Sequence, residues 1–107
     1  MLRPLLAAAL VALLAACGGD AARADVTDLR LQREGRSYPT LSGTLVNRGN
    51  APIQSADVFI TLYDADNRPI EDVMVQVGRV APGDSARFDK ALDLAAGGAK
   101  LKFVGIN

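Results

Sequence analysis

Asp64, Asp66, Asn67, Glu71 and Asp72 crowd one short stretch of this chain, and they are the residues whose types and spacing come nearest to chemistry. Asp-x-Asp-Asn offers side-chain oxygens at alternate positions, as a calcium loop begins. The stretch lacks the internal glycine and the distant bidentate glutamate of an EF-hand loop. Asp and Asn also stabilise tight turns by bonding their own backbone, and a hairpin connection accounts for the same residues. Weak Ca²⁺ binding through Asp64, Asp66 and Asn67 is the alternative, and with it a small-ligand or Ca²⁺-binding role for the 64–72 hairpin. Paired carboxylates doing acid–base work need a pocket that raises one pKa, which an exposed hairpin does not offer. The chain has no histidine and a single cysteine, Cys17, so the commonest general base and the commonest transition-metal ligand are missing. No nucleophile, base or metal set can be named, so no catalytic residue and no cofactor is expected. A second constellation, Phe59, Thr61 and Tyr63, alternates with Val58, Ile60 and Leu62. If the aliphatic set packs a core, the aromatic set faces outward as an interaction surface. Otherwise those residues are structural, with Tyr63 anchoring a turn through its hydroxyl.

The elements that must position these residues are strands. From Asp25 onward apolar residues alternate at period two, and turn chemistry interrupts them every eight to twelve residues, the pattern of an all-β sandwich or barrel. Strands are expected at 26–32, 40–47, 53–64, 70–77, 85–92 and 100–106. Arg48-Gly49-Asn50-Ala51-Pro52 stops the second. Ala81-Pro82-Gly83-Asp84 suits a type II turn, with Pro second and Gly third. On the last strand Leu101 and Phe103 share one face and Lys100 and Lys102 the other, where the lysines protect an edge from aggregation. The expected fold is a small immunoglobulin-like or fibronectin-like antiparallel β-sandwich of six or seven strands. With no second cysteine there is no internal disulfide, so Phe88, Phe103, Leu62 and the valines must hold the core by packing alone.

The N-terminus has a different grammar. Arg3 precedes an apolar run, Leu5 to Leu13, followed by small residues, which is the layout of a helical export signal and too short for a bilayer span. Leu14-Ala15-Ala16-Cys17 resembles the lipobox of bacterial lipoproteins. That resemblance implies removal of residues 1–16, S-diacylation of Cys17 and a mature chain beginning there with an acylated amino group. Two or three acyl chains give a stable membrane anchor where one would not. The residue after the cysteine is Gly18 rather than aspartate, so the resemblance favours the outer membrane, periplasmic face, over the inner membrane. Residues 17–24 read as the acylated cysteine and a short tether, and 25–107 as one domain.

Within that domain Ser42-Gly43-Thr44-Leu45-Val46-Asn47, then Ile60-Thr61-Leu62-Tyr63-Asp64, then Val80-Ala81-Pro82-Gly83-Asp84 with Phe88, resemble the FxLYD family of bacterial and archaeal surface domains. Ile60 stands where the family's motif has Phe. The resemblance implies a secreted or membrane-anchored immunoglobulin-like sandwich and no particular activity. Twelve basic residues balance 12 acidic ones, so no broad field draws nucleic acid. The expectation is a non-catalytic, lipid-anchored module in the periplasm that binds another envelope protein or supports envelope structure, in contact with the membrane through its anchor and with an envelope protein as partner.

Overall fold

The computed structural model describes residues 22–33, 35 and 37–107. The export signal and Cys17 lie outside them, as do Glu34 and Arg36. Six strands follow in chain order: β1 (Ala24–Gln32), β2 (Thr40–Asn47), β3 (Ala56–Tyr63), β4 (Pro69–Val77), β5 (Ser85–Ala91) and β6 (Gly98–Ile106). They form two three-stranded antiparallel sheets, ordered β1-β2-β5 and β4-β3-β6. The chain crosses between sheets after β2, β4 and β5, and the two sheets stack into a sandwich with β1 beside β6 and β4 beside β5.

Alternation decides which residues meet between the sheets. Leu41 and Leu45 on β2 face Val58, Ile60 and Leu62 on β3, and all five are fully buried. Val75, Val77, Val80, Phe88 and Leu92 complete the core. Gly43 lies directly across from Phe88 in the β2–β5 register. A Cβ on Gly43 would approach the Phe88 Cζ to 2.6 Å, so the absence of a side chain there is what leaves room for the tip of the ring.

Three strand pairings carry a register shift: that between β3 and β4 falls at the hairpin end, between Leu62 and Tyr63, and the other two break period two along β1 and β6. On β1 the register shifts between Thr27 and Arg30, and Asp28 adopts φ 56°, a left-handed conformation that Asp tolerates better than most residues. The extra residue keeps both Val26 and Leu31 on the core side, opposite Leu45 and Leu41.

On β6 the register shifts so that Phe59 faces Phe103 while Ile60 faces Leu101. The outcome corrects the expected core. Phe103 is 50% exposed and lies on the outside of the sandwich, and Leu101 is exposed at the edge. Phe103 and Leu101 do not share a face, because the bulge at Lys102 inserts one residue between them.

The third strand is also shorter than 53–64. Ile53 leaves β3 to make a lone antiparallel bridge with Val80, the two exchanging backbone bonds of 2.9 Å. Asn47 organises that end of the sandwich. Its buried amide donates to the carbonyls of Ala51 (2.8 Å) and Val80 (3.1 Å) and its Oδ1 accepts from the Gly49 N–H (3.0 Å). Ala81-Pro82-Gly83-Asp84 closes as a turn, with Asp84 N–H donating to Ala81 O and Gly83 at φ 78°.

Candidate functional site

The acidic residues divide between two structural duties. Asp64, Asp66 and Asn67 make the β3–β4 hairpin. The Asp64 Oδ1 accepts from the backbone N–H groups of Asp66 and Arg68, each at 2.9 Å. Asn67 donates its N–H to Asp64 O and takes φ 63°, a position Asn occupies at low cost. Asp66 pairs with Arg68 in solvent at 3.4 Å. One oxygen of Asp64 is thus committed to the turn itself. Among the described residues no group of three His, Cys, Asp or Glu side chains is placed to hold a metal ion.

Asp72 belongs to the outer face of the β4-β3-β6 sheet, not to the hairpin. It accepts from the Lys102 Nζ (2.7 Å) and from the Thr61 hydroxyl (2.8 Å). The lysine ahead of the hydroxyl holds its carboxyl below the ordinary carboxylate value.

Phe59, Thr61 and Tyr63 sit on that same outer face, alternating with the buried Val58, Ile60 and Leu62. Phe59 stacks on Phe103 with ring centroids 4.4 Å apart and planes 21° from parallel. Met74, across from Phe59 on β4, is exposed. Met74, Phe59 and Phe103 therefore form one apolar row running straight across three strands. Asp57 and Gln76, with Gly105, make the next row on one side; Thr61, Asp72 and Lys100 make the row on the other. Tyr63 lies beyond, with the Lys100 ammonium 5.1 Å from its ring centroid, a cation–π contact. The outer face of the other sheet is of another kind: Arg30 and Asp89 flank the buried Ser42 in one row, and Thr27, Thr44 and Arg87 make another.

Met74 and Phe103 are the members of this row that period-two reading did not assign to it. The signal was present for Phe103. Val104 and Ile106 continue one parity while Leu101 and Phe103 hold the other, so either a bulge or an outward aromatic was required. Met74 becomes significant only through its register with Phe59.

No known family profile matches the chain, and no curated protein matches it. Among solved structures, a DUF1425 family member from Shewanella sp. PV-4 is similar over 77% of this chain and 76% of its own, with a TM-score of 0.59 and 19% identity. The likeness is one of fold. It identifies the sandwich as an arrangement that a bacterial domain of unknown function also adopts.

Proposed function

We propose that this chain is a non-catalytic envelope lipoprotein, an FxLYD-like sandwich anchored through an acylated Cys17, whose β4-β3-β6 outer face docks an envelope protein at the periplasmic side of the outer membrane. The observation that carries the docking face is the Met74–Phe59–Phe103 row. Half-exposed aromatics gathered in one row are what interface cores are made of, whereas the opposite sheet presents charged and hydroxyl side chains. The lipobox-like Leu14-Ala15-Ala16-Cys17 supports the anchor, and Gly18 supports the outer membrane. Between Cys17 and Ala24 the chain reaches at most about 25 Å, so the partner must lie close to the membrane.

Two experiments test the reading. Cys17→Ala is expected to abolish fatty-acid labelling and to release the domain from membranes; unchanged membrane association removes the anchor. A photo-crosslinking residue at position 59 or 61, irradiated in intact cells, is expected to give a discrete adduct. Absence of any adduct from both positions removes the docking face.

A further inference from the structure

Each three-stranded sheet has two edges, and a bare edge is a template for a further strand. Of the four edge strands among the described residues, three carry devices against such pairing. β1 is bulged at Asp28, which holds φ 56°. β4 opens with Pro69 and carries only acidic charges, Glu71 and Asp72. β6 carries only basic ones, Lys100 and Lys102, and is bulged as well. The fourth, β5, differs from all of them. It pairs with β2 from Ser85 to Ala91 without a register shift, has no proline, and carries both signs of charge in Arg87, Asp89 and Lys90.

The backbone bonds just beyond β5 show which of its residues face the open side. Leu92 N–H donates to Pro39 O past one end, and Asn47 N–H donates to Asp84 O past the other. Bonded and non-bonded positions alternate along an antiparallel ladder, so Ala86, Phe88 and Lys90 turn their backbone groups toward β2. Ser85, Arg87, Asp89 and Ala91 turn theirs outward, and all four are exposed. Neither Arg87 nor Asp89 forms an ion pair among the described residues.

We infer that β5 is a self-pairing edge, to which a second copy of the chain adds its own β5 antiparallel about a two-fold axis through Phe88, normal to the sheet. The inference goes beyond the docking-face reading and does not rest on it, since that face belongs to the other sheet. In this register Arg87 of each copy stands opposite Asp89 of the other, and Ser85 opposite Ala91. These are the residues with outward backbone groups, so each pair exchanges two bonds, about eight in all. Their Cα atoms come about 5.5 Å apart, within reach of an Arg–Asp ion pair on the outer face, and the symmetry makes that pair twice. Lys90, a residue type that often guards edges, falls opposite the small Ala86 and meets no like charge. Moving the centre by one residue sets Arg87 on Arg87 or Asp89 on Asp89, and like charges directly opposite oppose pairing. Charge thus selects one register, and the two β1-β2-β5 sheets become one continuous sheet.

Edge pairing buries little area beside what a stable dimer needs, so the assembly is concentration-dependent. Confinement of anchored copies to one membrane favours it.

The test uses the full chain in cells, in two copies bearing different epitope tags. Ser85→Cys in one copy and Ala91→Cys in the other are expected to be joined by a short bis-maleimide. Two Ser85→Cys copies are not, because their cysteines stand about 20 Å apart along the paired strands. Cys17 is blocked by acylation in the reading above, and the chain without added cysteines gives the baseline. Arg87→Glu in both copies is expected to lower the 85–91 yield about fivefold or more, and so is Asp89→Arg in both. Arg87→Glu in one copy with Asp89→Arg in the other opposes unlike charges at both places again and is expected to restore it. Protease resistance shows in each case that the fold persists. Co-capture of the two tags from mild detergent reads the same charge series without added cysteines. Equal yields from the 85–91 and 85–85 pairs, or mixed copies that associate no better than either variant alone, overturn the inferred register. An 85–91 yield at baseline overturns self-pairing through β5. The crosslinks from 85 and 91 and the photo-adducts from 59 and 61 report on different sheets, so the two readings fail separately.

Discussion

Asn47 is fully buried, yet both its amide hydrogens and its carbonyl oxygen are bonded, tying the end of β2 to Ala51, Gly49 and Val80. Replacing it by alanine leaves the Ala51 carbonyl and the Gly49 N–H without this partner, and the Val80 carbonyl with the Ile53 N–H alone, in a water-poor site where each lost bond carries a desolvation cost. Asn47→Ala is expected to lower stability by about 2–3 kcal/mol, read as a shifted urea midpoint at unchanged slope. The residue was legible in the sequence as the end of a strand before a turn; that it joins two connections far apart in sequence was not. Asp72 gives the other residue-scale expectation. Its carboxyl is held below its ordinary value of 3.8 by Lys102, then by Thr61. A pKa lowered on folding contributes stability above the unfolded value, and that contribution is lost as pH falls through the lower folded value. Acid titration of stability below about pH 4 is therefore expected to be shallower in Asp72→Asn, and also in Lys102→Met, than in the unaltered chain. Because the pair is exposed, the effect is small and weakens with salt.

At the scale of elements, the β3–β4 hairpin is held by Asp64 as a turn. Asp64→Ala removes the acceptor of two backbone N–H groups and is expected to cost about 1–2 kcal/mol, with faster hydrogen exchange at the Asp66 and Arg68 amides. Asn67→Gly, which suits φ 63°, is expected to be tolerated. Millimolar Ca²⁺ is expected to leave the melting temperature unchanged, since one Asp64 oxygen already serves the turn. The strands themselves were largely legible, because period two and the turn residues between them are local properties. What escaped strict alternation were the bulges on β1 and β6 and the early departure of Ile53 to Val80. Each is a matter of pairing: the apolar parity breaks at Val26–Leu29 and at Phe103–Val104 mark where a shift must occur, but only the neighbouring strand decides how it is absorbed.

At the scale of the molecule, the two outer faces differ, and three phenylalanines separate by role. Phe88 is a core ring seated over Gly43, whereas Phe103 is half-exposed and stacked on Phe59. Phe88→Ala is expected to cost about 3–5 kcal/mol. Phe103→Ser is expected to cost about 1 kcal/mol, the scale of an aromatic pair, while abolishing adducts at the docking face. Equal losses of stability in the two variants, measured by thermal unfolding, make Phe103 a core residue and remove the distinction.

The sequence by itself determined the fold class, the approximate strands, the want of a histidine or disulfide, and which face of β3 is aliphatic, because composition and period-two pattern are written along one chain. The tertiary structure decided which aromatics gather into a row, where Lys102 and Asp72 meet, and that Phe103 lies outside. Those outcomes depend on register between strands distant in sequence, and a shift of one residue carries a side chain to the other face of the sheet.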